Sequence, residues 1–293
     1  MSEAQTSDAA ASFEPLRGLL TGLAYRMLGS RAEAEDMVQE AYLRWHATDR
    51  AAVHEPRAFL SKTVTRLCLD HIKSARVRRE DYVGPWLPEP LLDDSSLSVE
   101  SANEYANDLS VALLLTLERL SPLERAAFLL HDVFDMSFEQ VAETLGREAA
   151  ACRQLASRAR SHVREEKPRF RPSAEEEARV FSAFTTALGS GDIAALSRVL
   201  AQDAVFYADG GGKVKAALKP ILGAERIAKF LAGIVRKHWP ADVQFRAARI
   251  NGLPGLVLLR PSGPMQTLAV EVRNGVVARL YTVRNPDKLR YVH

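Results

Sequence analysis

Residues Ser121 to Arg164 read SPLERAAFLLHDVFDMSFEQVAETLGREAAACRQLASRARSHVR. Two helix starts of one kind lie in this stretch. Ser121-Pro122-Leu123-Glu124 places a hydroxyl at the N-cap, proline at the first helical position and glutamate at N3, a capping box. Ser137-Phe138-Glu139-Gln140 repeats the device, and Met136 and Val141 take the two positions of a hydrophobic staple. Val141, Ala142 and Leu145 give this second helix an apolar face, and Gly146 can end it in the left-handed conformation. After a short turn, Cys152, Leu155, Ala156, Ala159 and Val163 recur at helical spacing, with Arg153, Ser157, Arg160 and Arg164 on the opposite face and Arg158 beside them. Short helices joined by a tight glycine turn, the last bearing arginines outward, read as a helix-turn-helix suited to the major groove of DNA. Arg147-Glu148-Ala149-Ala150-Ala151 departs from the pattern, because no serine or threonine caps the reading helix.

The rest of the chain bounds what surrounds this stretch. At 293 residues it has room for two or three domains, and 47% hydrophobic with 26% charged residues is a globular composition. A net charge of +2 means that any basic surface is local. Cys68 and Cys152 lie on helical patterns among apolar residues and read as buried free thiols of a reducing compartment. The seven histidines show no HxH, HExxH or CxxC-type spacing, so neither metal nor cofactor is expected. No apolar run reaches membrane-spanning length, and the first residues lack a charged and then apolar leader; no membrane association and a cytoplasmic location are expected.

Before the helix-turn-helix, residues 1–12 are small and polar and read as a disordered tail. Phe13, Leu16, Leu20, Leu23, Ala24 and Met27 then form a helical stripe ending at Gly29. Ser30-Arg31-Ala32-Glu33 is a third capping box, starting a helix to about His46, whose Ala34, Met37, Val38, Ala41, Tyr42 and Trp45 line the buried side and whose other side carries Glu33, Asp36, Gln39 and Glu40. Pro56 opens a further helix, RAFLSKTVTRLCLDHIKSARVRRE, with Leu60, Val64, Leu67, Cys68 and Ile72 inward and a basic end at Arg76, Arg78 and Arg79. An acidic face repels phosphate, so a protein that needed only DNA would gain nothing from it; it fits a basic protein partner.

The pairing of AEDMVQEAYLRW with EPRAFLSKTVTRLCLDHIKSARVRRE resembles region 2 of a bacterial extracytoplasmic-function sigma factor, and residues 121–164 resemble its region 4. The resemblance implies that Asp36, Gln39 and Glu40 dock on the clamp helices of RNA polymerase β′, with the β flap as a further contact. It implies that Thr65, Arg66, Asp70, Lys73, Arg76, Arg78 and Arg79 melt and read the −10 element. Arg153, Gln154, Ser157 and Arg158 would read the −35 element as duplex. Such a chain divides into region 2 at 13–80, a proline-rich linker at 81–98, region 4 at 99–166 and a second linker at 167–174. Within region 4, Ala102, Tyr105, Leu109, Leu113, Leu117 and Leu120 predict a helix from about Val99 to Leu120.

In the first linker, Pro85, Pro88 and Pro90 favour an extended path, while Tyr82, Trp86, Leu87 and Leu91 are apolar enough to pack on something. After the second, helices at 175–188 and 192–200 precede a strand at 204–208, a helix that follows Gly223 and runs to about His238, and strands at 243–250, 256–259, 267–272 and 276–283. Asn251-Gly252 and Asn274-Gly275 are hairpin turns. Helices followed by a strand meander predict an α+β domain at 175–284 with a curved sheet, ahead of a tail at 285–293. This part resembles a cone-shaped polyketide-cyclase-like domain of the nuclear-transport-factor-2-like superfamily. GPWLPEP, Asp209-Gly210-Gly211-Gly212-Lys213 and Asn285-Pro286-Asp287-Lys288-Leu289 resemble the sigma-factor subgroup in which such a fused domain regulates the sigma core. Those two loops are the expected regulatory contact. The fold class expected is therefore two all-α sigma domains and an α+β cone, the last with room for an unidentified small ligand. Two other readings stay open on the residues alone. One is a one-component helix-turn-helix regulator with a ligand pocket; the other is an enzyme using Tyr207, Asp209, Lys213, His238, Asp242 and Tyr281 at a pocket mouth.

Overall fold

The computed structural model describes the backbone of residues 3–80, 82–92, 108–166, 172–238 and 242–292; the side chains of 3–8, 75–80, 166, 237 and 238 are left undescribed. The chain forms two compact units, one of residues 1–80 with 94–167 and one of residues 81–93 with 168–293.

The first unit is helical. α1 (Glu3–Leu28), α2 (Arg31–Ala47) and α3 (Pro56–Glu80) form a bundle over the part expected to be region 2. α4 (Val111–Arg119), α5 (Pro122–Phe128), α6 (Phe138–Leu145) and α7 (Ala149–Glu166) form the part expected to be region 4. Phe13, Leu20, Leu23 and Met27 of α1 are fully buried, and the Phe13 ring meets Tyr42 of α2 edge-on at 5.0 Å. α1 starts at Glu3, where a disordered tail to residue 12 was expected. The early start has a physical reason: Ala9 is buried, and Trp45 Nε1 donates to Ser12 Oγ at 3.1 Å, so residues 9–13 are part of the bundle. A second difference concerns the helix expected from about Val99. Ser110 caps α4, which begins only at Val111, and residues 93–107 lie outside the described residues.

The capping boxes at Ser121 and Ser137 form in full, Ser121 with Glu124 and Ser137 with Gln140, while at Ser30 the hydroxyl accepts from the Glu33 amide at 3.2 Å. Gly146 ends α6 at φ 63°, the left-handed cap. Between α5 and α6 the chain widens into one π-helical turn, Leu129–Val133, whose Asp132 takes Arg160 of α7 at 2.6 Å. Arg160 thus leaves the outward basic face on which its spacing had placed it.

The second unit is α+β, as expected. α8 (Ala174–Ser190), α9 (Ile193–Val199) and α10 (Ala224–His238) accompany β1 (Leu200–Asp209), β2 (Ile221–Leu222), β3 (Gln244–Ile250), β4 (Leu253–Arg260), β5 (Gly263–Arg273) and β6 (Val276–Val283). The sheet order is β2-β1-β6-β5-β4-β3. β3 to β6 are a meander, and β1 joins β6 in parallel, pairing Tyr207 with Tyr281. Both expected Asn-Gly hairpins are present, with positive φ at Asn251, Gly252, Asn274 and Gly275. The short β2 was not expected. Phe184, Leu196, Phe206, Ile227, Val270 and Leu280 lie in one apolar core shared by helices and sheet.

Candidate functional site

On α2, the acidic face is open. Asp36 and Gln39 are exposed, and Glu40 pairs with Arg44 at 3.0 Å along the same helix. Leu43 lies one further turn along this face and is 55% exposed, a large apolar side chain among acids. The charge pattern had not drawn attention to Leu43; its spacing of seven from Asp36 is the signal that finds it.

The basic side of region 2 is partly occupied by region 4. Arg66 of α3 donates from Nε to the Thr144 carbonyl at 3.0 Å and from Nη2 to the Glu143 carbonyl at 2.9 Å. These are the last carbonyls of α6, where a cation satisfies groups that the helix itself leaves unpaired. Lys62 bonds the Glu143 carboxylate at 2.5 Å and holds that carboxyl below the usual carboxylate range. Asp70 and Lys73 are exposed and paired with each other at 3.2 Å. Thr65 does not join them. It is fully buried, between Val64 and Cys68 on the inner side of α3, and its hydroxyl donates to the Ser61 carbonyl at 2.8 Å. The side chains of Arg76, Arg78 and Arg79 lie outside the described residues, at the end of α3.

On α7, Arg153, Gln154, Ser157 and Arg158 are all exposed on one face, opposite buried Cys152, Ala156 and Ala159. Arg153 lies over the Phe138 ring at 5.5 Å and pairs with Glu139 at 3.3 Å, while Arg158 pairs with Glu124 at 3.2 Å. The Ser121 hydroxyl, more than Arg158, lowers the Glu124 pKa. A deeper arginine ties the two regions together. Arg125 of α5 is 3% exposed; its Nη1 donates to the Met27 carbonyl at the end of α1, and its Nη2 to the Glu118 carbonyl at 3.0 Å.

In the second unit the two expected loops converge on a segment of the first linker. Asp209 at the end of β1 is fully buried. Its Oδ1 accepts from the Tyr82 hydroxyl at 2.5 Å, and its Oδ2 accepts from the Leu87 amide at 2.9 Å and from Lys288 Nζ at 2.8 Å. The Asp209 carbonyl accepts from the amides of Arg284 and Asn285 at 2.8 and 3.0 Å. Lys288 also donates to the Leu87 carbonyl at 2.5 Å, and its ammonium lies 4.9 Å from the Tyr82 ring centre and 4.4 Å from that of Trp86. Asn285 Nδ2 donates to the Tyr82 oxygen at 3.1 Å. Burial first, and the Asp209 bond next, push the Tyr82 phenol pKa well up. Further along, Leu91 exchanges two hydrogen bonds with Asn251, at 2.7 and 3.1 Å.

The glycines of the loop allow this approach. Gly211 has φ 58°, and a Cβ there would run into the Asn285 side chain; Gly212, at φ 70°, lies against Val83. Lys213 pairs with Asp287, an acid of the second expected loop. The described part of the expected tail, 285–292, is not free, since Pro286–Leu289 form a 3₁₀ turn with Lys288 and Leu289 buried.

The candidate catalytic set does not assemble. A cavity opens between the sheet and α8 and α10, and none of Tyr207, Asp209, Lys213, Asp242 and Tyr281 lines it; the His238 side chain is outside the described residues. Tyr207 and Tyr281 stack on each other at 5.6 Å. Cys68 and Cys152 are buried free thiols, and burial raises the pKa of both. Among the described residues no group of three His, Cys, Asp or Glu could hold a metal ion, and no helix is long and apolar enough to cross a membrane.

Two helical regions, the second with a capped helix-turn-helix, followed by an α+β domain, define a DNA-binding transcription protein with an appended domain. The comparisons agree with this architecture. The model of sigma-70 region 2 matches residues 13–78, and that of sigma-70 region 4 matches residues 110–163. The chain is 39% identical over 288 residues to the ECF RNA polymerase sigma factor SigJ of Mycobacterium tuberculosis, covering 94% of this chain and 91% of that one. It is 33% identical over 291 residues to the probable ECF RNA polymerase sigma factor SigI of the same species, covering 97% and 96%. The crystal structure of Mycobacterium tuberculosis SigJ superposes with a TM-score of 0.74 at 35% identity, over 96% of this chain and 98% of that one. The chain belongs to the extracytoplasmic-function sigma factor family. It is an alternative sigma factor, a protein that binds core RNA polymerase and promoter DNA to direct transcription initiation, and not an enzyme.

Proposed function

We propose that this sigma factor is regulated from within its own chain, by the grip of the α+β domain on the segment that connects region 2 to region 4. The observation that carries the reading is Asp209, which joins Tyr82, Leu87 and Lys288 in one buried cluster. Residues 82–92 belong to the only stretch of chain between α3 and α4, so holding them limits how far the two regions can spread. Promoter binding needs that spread, because region 2 serves the −10 element and region 4 the −35 element.

The remaining assignments follow the surfaces. Asp36, Gln39 and Glu40, with Leu43, dock on the β′ clamp helices, and region 4 meets the β flap. Arg66, Asp70, Lys73, Arg76, Arg78 and Arg79 act at the −10 element; Arg66 does so after leaving α6. Arg153, Gln154, Ser157 and Arg158 read the −35 duplex, where loss of a base-reading arginine costs about 1–3 kcal/mol. The site of action is the cytoplasm, and the cavity of the α+β domain holds a small ligand.

The test combines two variants in transcription with purified core polymerase. Asp36→Arg with Glu40→Arg abolishes co-purification with core enzyme while circular dichroism stays unchanged. Lys288→Gln loosens the connector and changes transcript yield with no small molecule added. Core binding unaffected by the first, or yield unaffected by the second, removes the corresponding half of the reading.

A further inference from the structure

The cavity of the α+β domain has a volume of about 460 Å³, within the range of small-molecule sites. Its walls are apolar for most of their extent, with Phe206, Phe230, Ile234, Leu256, Leu258 and Met265 among them. Among the described lining residues the polar ones are Lys215, Gln266, Thr282 and Arg284, and none is acidic. Thr282 of β6 pairs with Leu268 of β5, Gln266 lies two residues along β5 on the same face, and Arg284 follows the end of β6 and bonds the Lys215 carbonyl.

This polar end is incompletely satisfied. Thr282 is 2% exposed, and its Oγ1 is buried without a hydrogen-bond partner. Arg284 Nη1 donates to the Lys215 carbonyl, but its Nε is buried with no partner. Among the described residues no carboxylate lies within ion-pair distance of Arg284. Burial, and after it the nearby Arg260 charge, lower the Arg284 pKa. Arg284 as a whole is half-buried, but buried polar atoms are nearly always paired, so its Nε and the Thr282 hydroxyl are places for a ligand's acceptor.

We propose that the cavity binds an apolar monocarboxylic acid, its hydrocarbon body against the α10 and β4 side chains and its carboxylate on Arg284, with Thr282, Gln266 and Lys215 completing the polar end. A carboxylate fits because guanidinium binds it with paired, charge-assisted bonds. An uncharged hydrocarbon would leave the Arg284 and Thr282 groups as they are, and a polyanion would meet the apolar wall. Arg284 is also the chain neighbour of Asn285, whose amide and side chain belong to the cluster around Asp209 and Tyr82, so the acid site and the connector grip share one backbone segment. The inference rests on the reading of this cavity as a ligand site and names the ligand's chemistry.

Titration calorimetry on the full chain, without polymerase or DNA, tests it with sodium decanoate, sodium 2-naphthoate and the neutral 1-decanol. At least one acid binds tenfold or more tighter than the alcohol, a difference of about 1.4 kcal/mol. Arg284→Gln removes that preference and leaves alcohol binding within about twofold; an acid preference that survives in the folded variant overturns the assignment. The two acids separate an aliphatic from an aromatic body, and either one showing the Arg284 dependence supports the proposal. If Arg284→Gln does not fold, Lys215→Gln takes its place, with a smaller loss of acid affinity expected and an unchanged affinity overturning the proposal. Equal affinity for acid and alcohol, or no binding of any of the three, also overturns it. Because no transcription is measured, failure here leaves the connector experiment untouched, and the converse holds.

Discussion

The two units hold a moving part in different ways. In the helical unit, region 4 leans on region 2 through α3 and α6, where Lys62 and Glu143 are 27% and 71% exposed. In the α+β unit, the connector is held by Asp209 and Lys288, 0% and 9% exposed. Exposed pairs contribute little, because water and salt compete with them. A buried charge cluster is costly to break from one side, because the remaining charge stays behind without a partner. On the function proposed above, the helical unit would separate at α3 and α6, where its ion pair is exposed, and the α+β unit would keep its grip through the buried one.

The largest expected effect breaks the buried side of this contrast. Asp209→Ala removes the buried carboxylate to which Lys288, the Tyr82 hydroxyl and the Leu87 amide all donate. It should destabilise the α+β unit by about 3–5 kcal/mol, as for other half-broken buried pairs. Hydrogen exchange at the β5 and β6 amides measures the loss, and limited proteolysis within residues 82–92 reports release of the connector. A variant whose exchange and cleavage match those of the parent chain would show that the cluster does not hold the segment.

What could be read in the sequence, and what could not, divides along the same line. Ser121, Ser137, Gly146 and the two Asn-Gly turns were legible because each acts on neighbours within a few residues. The amphipathic faces of α2, α3 and α7 were legible for the same reason, since periodicity is local. The Asp209 cluster was legible only as three motifs. Tyr82 and Asp209 are 127 residues apart and Lys288 a further 79 beyond Asp209, and no local rule sets such a meeting. Burial also overrode local reading at single positions. Thr65 reads as one more polar residue on a basic helix, but a small hydroxyl can bond its own helix backbone and be buried. Arg160 has the spacing of an outward arginine, and Asp132 on the π-helical turn draws it aside. Residues 9–12 looked like a tail because small residues carry little hydrophobic signal, although Trp45 closes over Ser12.

A smaller effect sharpens the buried side through pH. Burial and the Asp209 bond favour the neutral Tyr82 phenol in the fold, and burial and Glu271 do the same for Tyr281. An unfolded tyrosine ionises near pH 10, so above that pH the unfolded chain gives up protons that the folded one keeps. The stabilisation is complete below about pH 10 and declines as pH rises toward the raised folded values. Tyr82→Phe should cost about 1.5–3 kcal/mol at neutral pH, the scale of a hydrogen bond to a charged group. Its cost should shrink between about pH 10 and 11, because the parent chain alone carries this penalty. Denaturant unfolding followed across that range tests it; a gap constant with pH would mean that Tyr82 does not contribute to the alkaline loss.

The smallest effect on stability tests the exposed side, and it decides whether the helical unit opens as argued. Glu143→Gln removes the carboxylate that Lys62 bonds and leaves the Glu143 and Thr144 carbonyls for Arg66. The side chain is exposed, so the unfolding midpoint should not move. What should move is the balance between closed and separated regions. With donor and acceptor dyes on the exposed residues Ala47 of α2 and Ser161 of α7, the variant should show a larger separated fraction than the parent chain at low salt. Raising the ionic strength should bring the parent up toward the variant, because screening weakens the pair that the substitution has already removed. The variant should respond less to the same salt. Glu143 lies outside the groups assigned to polymerase and promoter, so a parallel gain in promoter binding would come from opening alone. If parent and variant show the same separated fraction at every salt concentration, the Lys62–Glu143 pair is not what closes region 4 over region 2, and the Arg125 contact would have to be weakened instead to separate them.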